Sequence, residues 1–250
     1  MEKYYCKLHS FLDGDENCPD CIAGRVELRV IQPYYSDALI TLYNTDYRNV
    51  IDSLPPIQTV VTDPPFNAGK DFENDNMSEL DFRAFCNEFT LNMYKLKPQN
   101  ILVEVGKNDK IMRQELERYF EYEYAINLNY TNSMRNGKIG YSNYGLVLWF
   151  GNNGKCFNRY KDRIDSALHD TRDEFEHPSP KEVDHYKRLV NMFTDNGGAV
   201  FEPFAGSGTT LLAARLNGRK AIGCEISKEY CDIIVKRLSQ IEMQFCNEAV

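Results

Sequence analysis

The order of apolar and polar residues predicts strands and helices that alternate along the chain. Short apolar runs predict strands, and stretches with apolar residues every three or four positions predict helices. In the helix that follows Ser78, the residues Phe82, Phe85, Phe89 and Met93 form one apolar stripe. Because the two kinds of element alternate, we expect an α/β protein with a three-layer, mostly parallel sheet. The predicted strands are 39–43, 59–62, 100–105, 122–130, 145–150, one that begins at 199 and runs into a glycine turn, and 220–225. Further helices are predicted at 111–120, at 181–193, after 208 and after 227.

One predicted strand ends in a turn with unusual chemistry, in the run VVTDPPF at 60–66. Asp63 can accept hydrogen bonds from an amino group, and Pro64 and Pro65 fix φ and lack backbone N–H donors. Phe66 offers a flat face on which a base can stack. The turn therefore favours a pocket for an exocyclic amino group, although an ordinary strand followed by a Pro-Pro turn also fits these residues alone.

A second predicted strand runs into a glycine turn, in AVFEPFAGSGTT at 199–210. Gly206 and Gly208 allow close approach of the backbone to a ligand, and the following helix begins with free N–H groups. The next strand, KAIGCE at 220–225, ends at Glu225. An acid about twenty residues after the glycines is typical of a ribose-binding carboxylate. This series predicts a nucleoside-containing cofactor at the turn.

Together these runs resemble the two signatures of the S-adenosylmethionine-dependent DNA amino-methyltransferases, D-P-P-[YFW] and [DE]-P-F-x-G-S-G-T-T. The catalytic motif precedes the cofactor motif, an order similar to the circularly permuted β subgroup. LYNTD at 42–46 resembles the L-x-x-G-D segment of that family with Thr45 in place of glycine, and EHPSPK at 176–181 resembles H-P-[TS]-x-K-P without its last proline. The resemblance covers about 39–238 and implies a Rossmann-like fold with a mixed, mostly parallel seven-stranded sheet that ends in an antiparallel hairpin.

The resemblance also implies the activity and the residues that perform it. We expect site-specific methyl transfer from S-adenosylmethionine to the N6 atom of a flipped adenine in double-stranded DNA. The implied catalytic residues are Asp63, Pro64, Pro65 and Phe66. The implied cofactor-binding residues are Asp46, Asp63, Lys181, Glu202, Phe204, Gly206, Ser207, Gly208, Thr209, Thr210 and Glu225.

Alternatives to adenine methylation stay open at this point. D-P-P-F favours adenine, whereas S-P-P-Y is the commoner form for cytosine N4 in this family, so cytosine-N4 methylation is the second hypothesis. A methyltransferase acting on an RNA base or a protein amide is a more distant one. A hypothesis of a different class is a non-catalytic module that binds DNA or a partner and retains the fold without the activity.

The first thirty residues differ from the rest and predict a small separate element at 1–30, before a catalytic domain at 31–250. Cys6 and His9 are followed by Cys18 and Cys21, which is the spacing of a tetrahedral zinc knuckle. The acidic loop between the two pairs offers little to bury, so a structural Zn²⁺ would supply the folding energy. Four unrelated reduced side chains are the alternative interpretation.

Composition narrows the possible partners and location. The net charge of −8 is unusual for a DNA-binding protein, which ordinarily has a basic face. We place the predicted DNA contacts at about 129–180, with Arg135, Lys138 and Tyr141 as candidates. The cysteines without ligand spacing fit a reducing cytoplasm, and no apolar run is long enough for a membrane span. A homodimer and a restriction nuclease are further predicted partners.

Overall fold

The computed structural model describes residues 31–65, 67, 77–106, 109–132, 135–137, 140–167 and 181–248. For residues 109, 135–137, 140–142 and 241–248 it describes the backbone only. The chain divides into two units, Met1–Gln32 and Pro33–Val250, and nearly all of the described residues belong to the second. The predicted zinc ligands Cys6, His9, Cys18 and Cys21 lie outside the described residues, so the zinc element stays a prediction.

Strands and helices alternate along the second unit. The strands are β1 (Tyr35–Ser36), β2 (Ile40–Asn44), β3 (Thr59–Thr62), β4 (Asn100–Val105), β5 (Glu121–Tyr130), β6 (Arg135–Gly137), β7 (Gly140–Ser142), β8 (Tyr144–Gly151), β9 (Arg163–Ser166), β10 (Ala199–Glu202) and β11 (Lys220–Glu225). The α-helices are α1 (Glu79–Leu96), α2 (Asp109–Leu116), α3 (Val183–Phe193), α4 (Thr209–Leu216) and α5 (Lys228–Glu248). Two short 3₁₀ helices, Tyr47–Asn49 and Ile51–Ser53, precede β3.

The predicted α/β architecture is confirmed, but the expected number of strands is wrong. One mixed sheet has nine strands in the order β1-β2-β11-β10-β3-β4-β8-β5-β9. The expected seven run from β2 to β5, and β1 and β9 add one short strand to each edge. The antiparallel pair of β5 and β8 is present, but it is not terminal, because β9 pairs in parallel with β5. Such short edge strands carry little hydrophobic patterning from which they could have been predicted.

The topology creates a crevice between β10 and β3. β10 and β3 are neighbouring parallel strands. The other neighbour of β10 in the sheet is β11, and the other neighbour of β3, on the opposite side, is β4. The chain order therefore reverses between these two neighbours. Ligands in open α/β sheets bind outside the carboxyl ends of the strands at such a switch point. The turn after β3 and the turn after β10, predicted as functional, both lie at this point.

The core is built from the faces of the sheet and the helices packed on them. In the predicted stripe of α1, the side chains of Phe82, Phe89 and Met93 are buried, which confirms it as core. Ser78 begins α1 by accepting a hydrogen bond from the backbone N–H of Asp81 at 3.2 Å. The Asp81 carboxylate in turn accepts a hydrogen bond from the Ser78 hydroxyl at 2.7 Å, so two hydrogen bonds join these residues at the start of the helix.

In the described part of the chain, no helix has the length and apolar content that a membrane crossing requires. Within the same ranges, no group of three or more His, Cys, Asp or Glu residues is arranged to hold a metal ion.

Candidate active site

The turn after β3 presents a carboxylate at the crevice. Asp63 directly follows β3, and its side chain is 26% exposed. Pro64 is buried and Pro65 half-buried, which anchors the turn on the core side. Phe66 lies outside the described residues. Asp63 is therefore the described group of this motif that can accept a hydrogen bond from a ligand.

The turn after β10 has the backbone geometry that its glycines predict. Gly206 has a φ of +52° and Gly208 a φ of +83°, both in the left-handed region that side chains disfavour. A Cβ atom on Gly208 would lie 2.7 Å from Cγ1 of Ile234 in α5. Gly208 is also the residue that precedes the first turn of α4. Both the conformation and the packing of this turn therefore require glycine at 208.

Glu225 joins the glycine turn to the end of the neighbouring strand. Its Oε2 accepts a hydrogen bond from the backbone N–H of Gly206 at 2.8 Å, and its Oε1 accepts from that of Ser227 at 2.9 Å. Burial raises the pKa of this carboxyl group above its ordinary value. A carboxylate offers about four acceptor sites, so Glu225 retains acceptor capacity for a ligand hydroxyl beside its bonds to the backbone N–H groups of Gly206, Ser227 and Ile226.

A second buried carboxylate, Glu202, binds the two turns together. Its Oε1 accepts from the Thr62 hydroxyl at 2.6 Å and from the Phe204 N–H at 3.1 Å, and its Oε2 accepts from the Thr210 hydroxyl at 2.7 Å. Burial raises the pKa of Glu202 to about 8. Glu202 had been predicted as a cofactor contact, and the structure places its oxygens against neighbouring groups of the protein.

Three other residues of the glycine turn that were predicted to bind the cofactor contact neighbouring parts of the protein. The Thr209 hydroxyl donates to the carbonyl oxygen of Lys181 at 3.3 Å. Ser207 is buried, and its carbonyl oxygen accepts from Nη1 of Arg237 at 2.6 Å. Phe204 is half-buried, and its ring lies 5.3–6.0 Å from the rings of three other aromatic residues. These neighbours are Tyr47, Phe85 and Phe89.

Asp46 follows β2 at the same edge of the sheet. Its Oδ1 accepts from the backbone N–H of Arg48 at 2.9 Å, and its Oδ2 pairs with Nη2 of Arg48 at 2.6 Å. Burial acts against ionisation of Asp46, but the Arg48 contacts outweigh it, so the pKa lies below its ordinary value. The carboxylate is 32% exposed, which leaves it accessible beside the crevice.

Lys181 lies between two carboxylates, an arrangement that the sequence did not predict. Its Nζ is 2.9 Å from Oδ1 of Asp63 and 2.6 Å from Oε1 of Glu104. Oε2 of Glu104 accepts from the Tyr186 hydroxyl at 2.8 Å. Glu104 and Tyr186 were missed as site residues. The available signal was Glu104 itself, a charged residue inside the otherwise apolar run ILVEV at 101–105.

For the residues predicted to contact DNA, the structure describes at most the backbone. β6 and β7 form a separate two-stranded sheet in which Asn136 pairs with Tyr141. Arg135 lies in β6, while Lys138 falls outside the described residues and nothing is described of the Arg135 and Tyr141 side chains. Their contact with DNA therefore stays a prediction.

Comparisons with known proteins agree with the motifs. Residues 57–236 match the N6/N4 methyltransferase family described as DNA methylase. The type II methyltransferase M.HpaI of Haemophilus parainfluenzae is 30% identical over 217 residues, covering 73% of this chain and 68% of the relative.

Solved structures agree with the fold. The PvuII DNA methyltransferase, titled cytosine-N4-specific, aligns with a TM-score of 0.68 at 18% identity over 81% of this chain and 87% of its own. The complex of M1.HpyAVI with SAM aligns with a TM-score of 0.63 at 20% identity over 80% of this chain and 100% of its own. The resemblance read from the two motifs is thereby confirmed, and the chain belongs to the N6/N4 family of DNA methylases.

Proposed function

We propose that this protein transfers a methyl group from S-adenosylmethionine to N6 of adenine in double-stranded DNA. The observation that carries the proposal is the Glu202 bridge. One buried carboxylate accepts from Thr62, the residue before Asp63, and from Phe204 and Thr210 of the glycine turn. The amino-acceptor turn and the cofactor turn are therefore held side by side across the crevice.

The residues around the glycine turn fit S-adenosylmethionine. Gly206 and Gly208 keep side chains away from the turn, and the first N–H groups of α4 face the crevice side of the sheet. Glu225 offers acceptor sites for ribose hydroxyls at the end of β11, and Asp46 provides a second accessible carboxylate at that edge. The solved complex of M1.HpyAVI with SAM supports the same assignment. When bound, S-adenosylmethionine supplies an electrophilic methyl group.

Asp63 and the turn that contains it would orient the nucleophile. An amino group inside a duplex is inaccessible, so the target base must be flipped out of the stack. The Asp63 carboxylate and the Pro64 carbonyl would accept hydrogen bonds from the amino group, which aims the nitrogen lone pair at the methyl group. Phe66 would stack on the base. The rate gain would come chiefly from proximity and orientation.

The choice of adenine rests on the D-P-P-F motif at 63–66. A carboxylate can accept from the amino group of either adenine or cytosine, so the geometry of Asp63 is compatible with both bases. The likeness to the cytosine-N4-specific PvuII enzyme supports cytosine N4 as the second candidate. A homodimer, a restriction nuclease partner and the structural zinc stay predictions.

The test is the identity of the methylated nucleoside. Unmethylated duplex DNA is incubated with the purified protein and S-adenosylmethionine, digested to nucleosides and measured by mass spectrometry. We expect N6-methyladenine that is lost with Asp63→Ala. N4-methylcytosine instead would overturn the adenine assignment, and bound cofactor without any methylated base would favour the non-catalytic module.

A further inference from the structure

A buried charged cluster at the crevice is not explained by cofactor binding. Lys181 pairs with both Asp63 and Glu104, and Glu104 also accepts from Tyr186. The side chain of Lys181 is only 14% exposed and that of Glu104 only 6%. Burying such groups costs free energy unless they are paired, so the cluster is stable only as a unit.

We propose that Lys181 is a positioning residue: by binding Glu104 and Asp63 at once, it holds the Asp63 carboxylate ionised and correctly oriented for the incoming amino group. This inference rests on the proposed function, and it gives Lys181 a different role from the cofactor binding that the family resemblance implies. Glu104 and Tyr186 act through Lys181, since Glu104 binds the ammonium group and the Tyr186 hydroxyl holds Glu104.

The main chain of Lys181 strengthens the argument. Its carbonyl oxygen accepts from the hydroxyl of Thr209, the first residue of α4. One residue therefore contacts the acceptor turn through its side chain and the cofactor helix through its backbone. A shift of Lys181 would move Asp63 relative to the glycine turn, and an error of about 1 Å in such a site can cost about 100-fold in rate.

Charge balance supports a permanently charged Lys181. Burial opposes its protonation, but Asp63 and Glu104 outweigh burial and hold the pKa of Lys181 above its ordinary value. The other titratable groups that face the cluster are Tyr130 of β5, His185 and Tyr186 of α3, and Glu202 of β10. Without the ammonium group, two carboxylates would share one partly buried space, and one of them would take up a proton.

The test compares Lys181→Met with Glu104→Gln, with the double variant and with Lys187→Met as a control. Lys187 also lies near the start of α3, but it pairs with Asp184 at 3.4 Å on the surface. Single-turnover methylation of duplex DNA is measured against pH at saturating S-adenosylmethionine, and the Kd for S-adenosylmethionine is measured separately by calorimetry.

We expect Lys181→Met to lower the single-turnover rate by about 10- to 100-fold while Kd changes less than about threefold. The acidic limb of its rate profile should move to higher pH by about one unit. In the double variant, Lys181→Met with Glu104→Gln, the acidic limb of the rate profile should return towards its wild-type pH, because only one carboxylate then remains. The single-turnover rate of the double variant should stay low. Lys187→Met should match the wild type.

Two results would overturn the inference: a wild-type rate and pH profile in Lys181→Met, or a raised Kd for S-adenosylmethionine with a normal rate at saturation. If Lys181→Met does not fold, the double variant decides, because it removes both members of the buried ion pair; a wild-type rate there overturns the inference. An inactive wild-type protein would instead overturn the proposed function and this inference with it.

Discussion

The two ends of β4 each bury a polar residue, and the two residues are held in opposite ways. At the amino end, Asn100 donates to the carbonyl oxygens of Lys155 and Phe193 and accepts from Nε1 of Trp149 and the N–H of Lys155, at 2.9–3.0 Å. At the carboxyl end, Glu104 is bound by a charged lysine and a tyrosine hydroxyl. Asn100 is saturated by neutral partners of the protein, whereas Glu104 belongs to a chain of charges that ends at the accessible carboxylate of Asp63.

The comparison distinguishes a buried polar residue that stabilises the fold from one that serves the active site, both in the same strand. A neutral network whose donors and acceptors are all matched fixes loops to the sheet at little electrostatic cost. A charged network costs more to bury, and here it lies where a ligand can reach its last member. We therefore expect changes at the amino end to lower stability and changes at the carboxyl end to lower methyl transfer.

The largest expected effect is that of Asp63→Ala at the carboxyl end. Removal of the acceptor should lower the single-turnover rate by about 100-fold or more, the scale seen when a charge-stabilising group is lost from an active site. The free energy of unfolding should change less than in an amino-end variant, because the Asp63 side chain is partly exposed and Lys181 keeps Glu104 as a partner. Urea unfolding checks the second expectation, and Asp63→Asn, which keeps one acceptor oxygen, should retain more activity than the alanine variant.

At the amino end, Asn100→Ala should produce the reverse pattern. It leaves the Trp149 indole and two backbone groups of Lys155 without the Asn100 side chain, while the Phe193 carbonyl keeps the Thr59 hydroxyl as a donor. We therefore expect a loss of about 2–4 kcal/mol in the free energy of unfolding. Asn152→Ala is the matched control, since Asn152 makes one exposed contact of 3.5 Å to the carbonyl oxygen of Tyr119. Equal midpoints of urea unfolding for the two variants would contradict the prediction.

Gly208→Ala tests whether the glycine turn contributes both to stability and to cofactor binding. The new Cβ would meet Ile234 at 2.7 Å in a backbone with a φ of +83°, so we expect a loss of about 2 kcal/mol in stability and weaker cofactor binding. Gly218→Ala provides the comparison, because Gly218 has a φ of +63° but open space around a Cβ. Gly218→Ala should cost only about 1 kcal/mol from backbone strain and should leave the Kd for S-adenosylmethionine unchanged in calorimetry.

The last expected effect is a pH dependence of the free energy of unfolding that comes from Glu202. With a folded-state pKa of about 8, Glu202 keeps a proton in the native protein that the unfolded chain has released. The native state therefore binds more protons between about pH 5 and 8, and its stability must fall as pH rises through that window. Glu202→Gln should remove this fall, which amounts to on the order of 3 kcal/mol between pH 5 and 8 for a shift of that size. Urea midpoints of both proteins from pH 5 to 8 measure it, and parallel curves would count against a protonated Glu202.

The sequence predicted the elements that carry strong local signals. β3, β4 and β11 begin and end where the apolar runs placed them, and the helices predicted after Ser78 and after Ser227 begin there, each with its serine hydroxyl accepting from a backbone N–H. β1, β6, β7 and β9 were not predicted, because these short strands contain few apolar residues and depend on pairing with neighbours rather than on their own pattern.

The candidate site was predictable in its motifs and not in its contacts. Asp63, Gly206, Gly208 and Glu225 were placed by chemistry that is local in the chain. The pairing of Lys181 with Glu104 joins residues 77 positions apart, and nothing in either segment identifies the other. Such contacts follow from strand order, which a single sequence specifies only weakly.

The most direct test compares the methylation rates of one variant from each end of β4 in a single assay. Single-turnover methylation by Asn100→Ala and Asp63→Ala is compared with the wild type at a temperature where all three are folded, with saturating S-adenosylmethionine and one DNA duplex. The account predicts a rate within about threefold of the wild type for Asn100→Ala and a loss of about 100-fold or more for Asp63→Ala. Equal losses in the two variants, or a normal rate in Asp63→Ala, would contradict it.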